Sequence, residues 1–520
     1  MHIKSADVML IKYPLGIQTF SKIRDGNYLY VDKTDLIYEL IAQGSIYFLS
    51  RPRRFGKSLL ISTLEALFKG QKQLFDGLAI ADTDYDFEVY PVLKFEFSNV
   101  QVTNEDDLRE YIVNTVNYFA KQYDIELTID SYEQRFAELV RELHAKSAKR
   151  VVLLVDEYDK PILDNLFTQE LKAIRSAIAG FYAVAKQLDE HLKFIFITGV
   201  SKFAKVSVFS GMNNLTDISM DRRYAAICGV TEQELEQQFQ APIDELAEFE
   251  QIERNELLAQ IKHWYNGYRF HHRGTSVYNP YSLLSLFSQQ EFKNYWFSTG
   301  TPTFLLNLLK TNNYNLKDLT QFKIGDGAFE ACEPEDMEVQ SVFLQTGYLT
   351  IEQFDGTLYQ LKFPNYEVKK SFHDSLSASY GHVGKGVSQG FIVRLTEQIS
   401  AGQLNDFFET LSCFFANIPY DLNVNHEKYY QSLFYAIFTL IGFNIEAEVH
   451  TNQGRIDCVL HTNDKIYVIE FKLNDTKEAA LAQIHTNKYP QKYQQSGKEL
   501  VLIGVEFDQD NRNIGEFVVG

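Results

Sequence analysis

An α/β protein built from more than one domain is what this sequence predicts, and three observations carry that expectation. Between about Gly44 and Gly199 short apolar runs alternate with amphipathic stretches. That is the pattern of a parallel sheet with helices on both faces. From Asn425 onward a second α/β alternation appears, with different spacing. The 520 residues also exceed one hydrophobic core, because domains commonly run about 100–200 residues.

Composition narrows the class. Apolar residues make up 45% and charged residues 23%, ordinary for a globular protein. The 40 Phe and 31 Tyr argue for filled cores and against disorder. A formal net charge of −19 repels phosphate backbones, which excludes a protein that coats bulk DNA. Contact with nucleic acid then has to be local, through basic patches or metal ions. The four cysteines, Cys228, Cys332, Cys413 and Cys458, form no C-x-x-C pair, so a reducing compartment and no zinc site are expected. No apolar run approaches the roughly 20 residues of a membrane span, and Lys4, Asp7 and Lys12 interrupt the start of the chain. The expectation is a cytoplasmic protein without membrane contact.

The elements follow in order. Strands are expected at Ser45–Leu49, Val92–Phe97, Val151–Val155 and Phe194–Thr198. Helices should dominate from Thr231 to about Leu309. The strand pair Tyr348–Gln353 and Leu358–Phe363, between Val342–Gln345 and a helix starting at Asn365, suggests a small winged-helix-like unit. A helix at Glu427–Ile441 then leads into strands at Ile445–His450, Arg455–His461 and Lys465–Phe471. A helix at Thr476–His485 and a strand at Glu499–Val505 close the pattern. The expected domains are residues 10–225, 226–415 and 420–520.

Residues 45–60 read SIYFLSRPRRFGKSLL: an apolar strand, a loop, then a helix opening at Gly56-Lys57-Ser58. Such a loop cradles phosphate oxygens with backbone N–H groups at a helix N-terminus. Arg54, Phe55 and Gly56 would supply the cradle, Lys57 would reach the β- and γ-phosphates, and Ser58 would ligate Mg²⁺. The first glycine of the usual G-x-x-x-x-G-K-S pattern is replaced by Arg51. Residues 150–157 read RVVLLVDE, a buried strand with acids at its carboxyl end, where ligands bind in open parallel sheets. Asp156 would hold the Mg²⁺ shell and Glu157 would act as general base. Thr198, ending the FIFIT strand, can sense a γ-phosphate or simply close the strand end. Arg222 and Arg223 are candidates for a trans-acting cation or an ordinary surface pair.

FLSRPRRFGKSLLISTL, LLVDEYDKPI, FITGVSKF and the opening YPLGIQTFSKIRDGNYLYVDKT closely resemble the predicted AAA-ATPase-like family of bacteria. HWYNGYRF and VYNPYSLL fit the same family, and the resemblance covers about residues 10–300. It implies an AAA-like P-loop ATPase core followed by a winged-helix element, and it makes the Arg-Pro-Arg-Arg-Phe approach to Gly56 a family trait. ATP and Mg²⁺ are the cofactors it implies. It leaves room for a homo-oligomer through the ATPase domain.

In the last domain the chemistry lies in GRIDCVL (454–460) and VIEFK (468–472). A short turn at His461–Asp464 lets the two strands pair, and alternation puts Glu470 and Lys472 on one face. Asp457 and Glu470 form a hard oxygen site suited to Mg²⁺, which would generate hydroxide and stabilise charge on a scissile phosphate. This D-(x12)-E-x-K arrangement resembles the PD-(D/E)XK nuclease superfamily, with its restriction-endonuclease-like fold, over about residues 420–518. The resemblance implies Asp457 and Glu470 as metal ligands and Lys472 as the catalytic lysine. Glu427 fits the family's additional acid and Gln483 its auxiliary glutamine. Mn²⁺ could replace Mg²⁺ there. E-x-K alone is also what an ordinary surface hairpin carries.

Together these resemblances imply an ATPase whose nucleotide state gates a metal-dependent nuclease acting on DNA or RNA. Defence or the handling of mobile elements is a setting suggested by analogy of fold. The rival expectation is a sensor or signalling ATPase whose nuclease-fold domain only binds nucleic acid or a protein partner.

Overall fold

Apolar runs that end in polar or small residues become the inner strands of a parallel sheet. The computed structural model describes residues 11–520, apart from 167, 203–207, 210–211, 213, 297–304, 307, 310–322, 326, 328–338, 382–383, 417–425, 443–445, 453–454, 474, 488–492, 494–495 and 509–512. Side chains are also outside the description at 385, 426–431, 446–452, 455–457 and 473. The chain forms two compact units. One comprises Met1–Trp296 and Lys323–Asn365, the other Phe297–Phe322 and Tyr366–Gly520.

The first unit is built on β1 (Ile46–Ser50), β2 (Val92–Glu96), β3 (Val151–Asp156), β4 (Leu192–Gly199) and the short β5 (Thr216–Asp217). They form one sheet in the order β2-β3-β4-β1-β5, all parallel. Val151 through Val155 are each wholly buried, as expected of a strand covered on both faces. Each such side chain contributes about 1.5–3 kcal/mol when removed from water. The helices Glu105–Gln122, Tyr132–Ser147 and Leu171–Gln187 turn apolar stripes onto it through Ile112, Phe136 and Phe181. The four long strands fall where the sequence predicts them; two-residue β5 is too short to show a period. A helical group follows from Glu232 to Gln289. The helix Val339–Gln345 and a small antiparallel sheet come next, of β6 (Lys323–Ile324), β7 (Thr350–Phe354) and β8 (Tyr359–Lys362) in the order β6-β8-β7. The strand pair expected of a winged-helix-like element is therefore present.

The second unit carries a mixed sheet of β9 (Glu446–Asn452), β10 (Arg455–His461), β11 (Lys465–Leu473), β12 (Glu499–Asp508) and β13 (Asn513–Val519). Their order is β13-β12-β11-β10-β9, and only β11 and β12 run parallel. The helix Lys477–Thr486 makes the crossover between those two strands. On the opposite face the helix His426–Ile441 packs Phe434 against Phe415, Phe471 and Phe507. Phe434→Ala is expected to lower stability by about 3–5 kcal/mol through lost transfer energy and the cavity left behind. Urea unfolding checks this, and a loss below about 1 kcal/mol would mean the ring is not the keystone of that face. No described helix is long and apolar enough to cross a membrane.

Candidate functional sites

The first site forms where β1, β3 and β4 deliver polar residues to one sheet edge. β1 runs directly into the loop, and Gly56 stands before the helix Lys57–Phe68 with φ +88°. L side chains avoid that region, so glycine there lets the loop turn without strain. Arg54 also adopts a left-handed φ of +66°. Lys57 is buried, and its ammonium bends back over the loop to donate to the carbonyls of Arg51 (3.0 Å) and Pro52 (3.1 Å). Ser58 is half-buried on the first helical turn.

Arg51 explains the missing glycine. Its backbone is not left-handed, so no glycine is required. Its guanidinium is 1% exposed and donates to the carbonyls of Ser219 (2.8 Å) and Tyr224 (3.1 Å). It also stacks 3.9 Å from the Phe270 ring centre. The residue ties the phosphate-loop strand to segments about 170 positions away, something no local pattern announces.

Across the sheet Asp156 is 2% exposed and accepts a 2.6 Å hydrogen bond from the Thr198 hydroxyl. Glu157 follows with φ +54°, a costly backbone for a non-glycine and one common at functional sites. Its carboxyl pKa is raised, mainly by burial; Asp156 and Asp159 push it further up, while Lys57 and Arg53 oppose them. Asp159, which sequence reasoning missed, is wholly buried and clamps the turn after Thr198. It accepts from the Val200 amide and from both the amide and hydroxyl of Ser201. Its only advance signal was the third acid of DEYDK.

An apolar cavity of about 100 Å³ opens beside Phe55 and Gly56. Tyr30, Val31, Cys228 and Phe239 help to line it. These come from distant parts of the chain, so no local pattern announces the cavity. Lys33 stands at the same cavity, ion-paired to Glu234 at 2.5 Å. Of the two candidate trans-acting cations, Arg223 is exposed and paired with Asp221 of its own chain, and Arg222 is exposed.

The second site lies in the other sheet. Asp457 and Glu470 are direct partners across the antiparallel β10–β11 pair, and Arg455 is opposite Lys472. Direct partners share a face of the sheet, with Cβ atoms about 4.5–5.5 Å apart. Glu470 is 1% exposed. Its parallel neighbour on β12 is Gly504, where a Cβ would stand 2.2 Å from the Lys477 carbonyl and 2.7 Å from the Leu481 amide. Only glycine admits the helix Lys477–Thr486 this close. That helix therefore covers the face bearing Glu470, and it carries Gln483, whose buried Nε2 has no hydrogen-bond partner among the described residues. Lys472 is half-buried. Glu427 stands in the first turn of the helix on the opposite face. The side chains of Asp457 and Glu427 lie outside the described residues, and the described residues alone contain no group of three potential metal ligands.

A strand–loop–helix phosphate cradle facing an acidic strand end, joined in one chain to a nuclease-fold domain, defines the class. A family described as "Predicted AAA-ATPase" matches residues 14–209. The "PD-(D/E)XK nuclease superfamily" matches residues 425–517. Along its whole length the chain is 42% identical, over 525 residues and 98% of both chains, to an "Uncharacterized protein in vnfD 5'region" of Azotobacter chroococcum mcd 1. The chain belongs to this family of predicted AAA-ATPases with a C-terminal PD-(D/E)XK nuclease superfamily domain. Among solved structures it is similar to the Aeropyrum pernix ORC2 protein in ADPNP and ADP complexes. That likeness has 10% identity and a TM-score of 0.25, covering 65% of this chain and 93% of the other, and is too shallow to bear on function.

Proposed function

We propose that the first unit binds and hydrolyses ATP, and that its nucleotide state gates a metal-dependent nuclease in the second. The observation that carries this reading is the meeting of a buried ammonium, Lys57, with the buried carboxylate of Asp156 and with Glu157, whose pKa burial raises, at a single sheet edge. A buried cation resting on two carbonyls is ready to exchange them for phosphate oxygens, which are stronger, charged acceptors. The amides of Arg54, Phe55 and Gly56 would wrap those oxygens, and the neighbouring apolar cavity would take the base. Ser58 and Asp156 offer the hard oxygens that Mg²⁺ prefers, with Asp156 held in orientation by Thr198. Bound Mg²⁺ would supply charge neutralisation on the β- and γ-phosphates. Glu157, with its raised pKa, is suited to accept a proton from water. Thr198 would report the γ-phosphate to the turn that Asp159 clamps.

In the second unit Asp457 and Glu470 form a two-carboxylate edge that fits a divalent ion, with Glu427 as a further acid. There the ion would supply Lewis acidity toward a phosphodiester. Lys472 would hold the attacking group and balance charge, and the spare donor of Gln483 would position Glu470 or substrate. DNA and RNA are both admitted by this chemistry. The protein's net charge of −19 makes binding local and metal-assisted. Assembly through the ATPase unit and a cytoplasmic setting belong to the same reading.

Lys57→Ala tests it. Loss of ATP binding by at least about 100-fold is expected, from a buried cation that no longer meets phosphate. Mg²⁺-dependent cleavage of nucleic acid should lose its response to ATP at the same time. Wild-type affinity for ATP in this variant would remove the phosphate-loop assignment. Cleavage that ignores ATP in the unaltered protein would remove the gating.

A further inference from the structure

We infer that the first unit contains a second anion site, a recess behind the phosphate loop that takes inorganic phosphate. It is lined by Arg51 and Pro52 of the loop, Lys202 after β4, Arg269, Phe270 and Gln345, and has a cavity volume of about 40 Å³. Three of its walls are cationic, and no carboxylate lines it.

The donor count points to a ligand. Arg51 Nε, Arg269 Nε and Gln345 Nε2 are all buried with no hydrogen-bond partner among the described residues. Arg51 is 1% and Gln345 9% exposed. Orphaned buried donors are rare, and each is costly. Three around one recess, with two guanidinium groups and no acid, make an environment that a tetrahedral oxyanion satisfies better than neutral water. Other atoms of each of these side chains are already engaged, which fixes the donors in place. Arg51 holds Ser219 and Tyr224, Arg269 donates to the Glu352 carbonyl, and Gln345 accepts from the Lys202 amide at 2.7 Å. Lys202 is itself paired with Asp217 at 2.9 Å.

The recess is wired to the nucleotide cradle. Lys57 rests on the carbonyls of Arg51 and Pro52, two residues that wall the recess. Lys202 lies four residues beyond Thr198. Moving Lys57 onto phosphates releases that wall, so occupation of the cradle and of the recess become linked. The phosphate cleaved from ATP would be its natural source. That source, and the linkage to the cradle, rest on the ATPase reading.

The test is calorimetric titration of inorganic phosphate into the full-length protein saturated with ADP. One phosphate per chain is expected. Gln345→Met should weaken it by about tenfold or more, and Arg269→Lys, which keeps the charge but removes the Nε donor, should do likewise, each donor to a charged group being worth about that much. Binding that is absent with ADP bound, or equally tight in both variants, would overturn the proposal and leave the recess to water alone. The ADP titration that precedes it reports separately on the ATPase reading. Should ADP not bind, the same phosphate titration on Lys57→Ala, which lacks the cradle ammonium, still decides the recess.

Discussion

Glu157→Gln is expected to lower ATP turnover by about 10²–10⁴-fold, the range associated with a positioned general base, while ATP binding persists. The same substitution should raise the melting temperature of the nucleotide-free protein at neutral pH. Both effects share one cause. Burial, with Asp156 and Asp159 nearby, raises the Glu157 pKa, so the folded protein holds that proton more tightly than the unfolded chain does. Its contribution to stability is full below the unfolded carboxylate pKa and is lost as pH rises through the raised folded value. At neutral pH the group is therefore a net cost, which glutamine removes. The rate runs the other way: a base must be deprotonated, so wild-type turnover should fall as pH drops through a value above the ordinary carboxylate range. Steady-state rates, ATP affinity and melting curves at acid and neutral pH check the set. Near-wild-type turnover in the glutamine variant would take the base role away from Glu157.

At the second site the expected result is an asymmetry between two variants. Asp457→Asn should weaken divalent-metal binding and cleavage together. Lys472→Ala should leave metal binding intact or tighten it, while cleavage falls by about 10²–10³-fold, as when one electrostatic donor to a transition state is removed. Asp457 and Glu470 are direct cross-strand partners, and like charges so placed repel. A cation relieves that repulsion, so Mn²⁺ or Mg²⁺ should stabilise the protein, and binding should strengthen as rising pH strips carboxylate protons. Lys472 is two residues on from Glu470, on the same face. It offsets part of the negative charge, so its removal favours the metal even as it disables the chemistry. Ca²⁺ should bind yet support little hydrolysis, because it holds ligands loosely and acidifies water weakly. Mn²⁺ calorimetry beside a gel cleavage assay, with ATP present, separates the outcomes. An unaltered protein that binds no divalent metal and cuts nothing would make the second unit a binding module.

Much of this was legible locally. Val151–Val155 announces a covered strand, and the acids after it mark a candidate site, because burial and polarity change within two residues. Glu470 and Lys472 share a face by simple alternation, and the Asp457–Glu470 pairing follows from a short turn. What escaped was tertiary. Arg51 looked like a defect in the loop, since its partners Ser219 and Tyr224 are remote in sequence. Asp159 reads as another surface acid until its grip on Val200 and Ser201 is seen. β13 was missed because Gly515 and Glu516 interrupt its apolar run, and its identity comes from pairing with β12.

The interleaving of the two units along the chain also sets a clock. The first unit is finished by Lys323–Asn365, after the chain has contributed Phe297–Phe322 to the other. Translation proceeds at about 5–20 residues per second. For some seconds after β4 emerges, the ribosome therefore holds a phosphate loop whose far wall, with Gln345, has yet to be made. The first unit is completed late relative to its phosphate-loop motif, and its completion coincides with the start of the main run of the second unit.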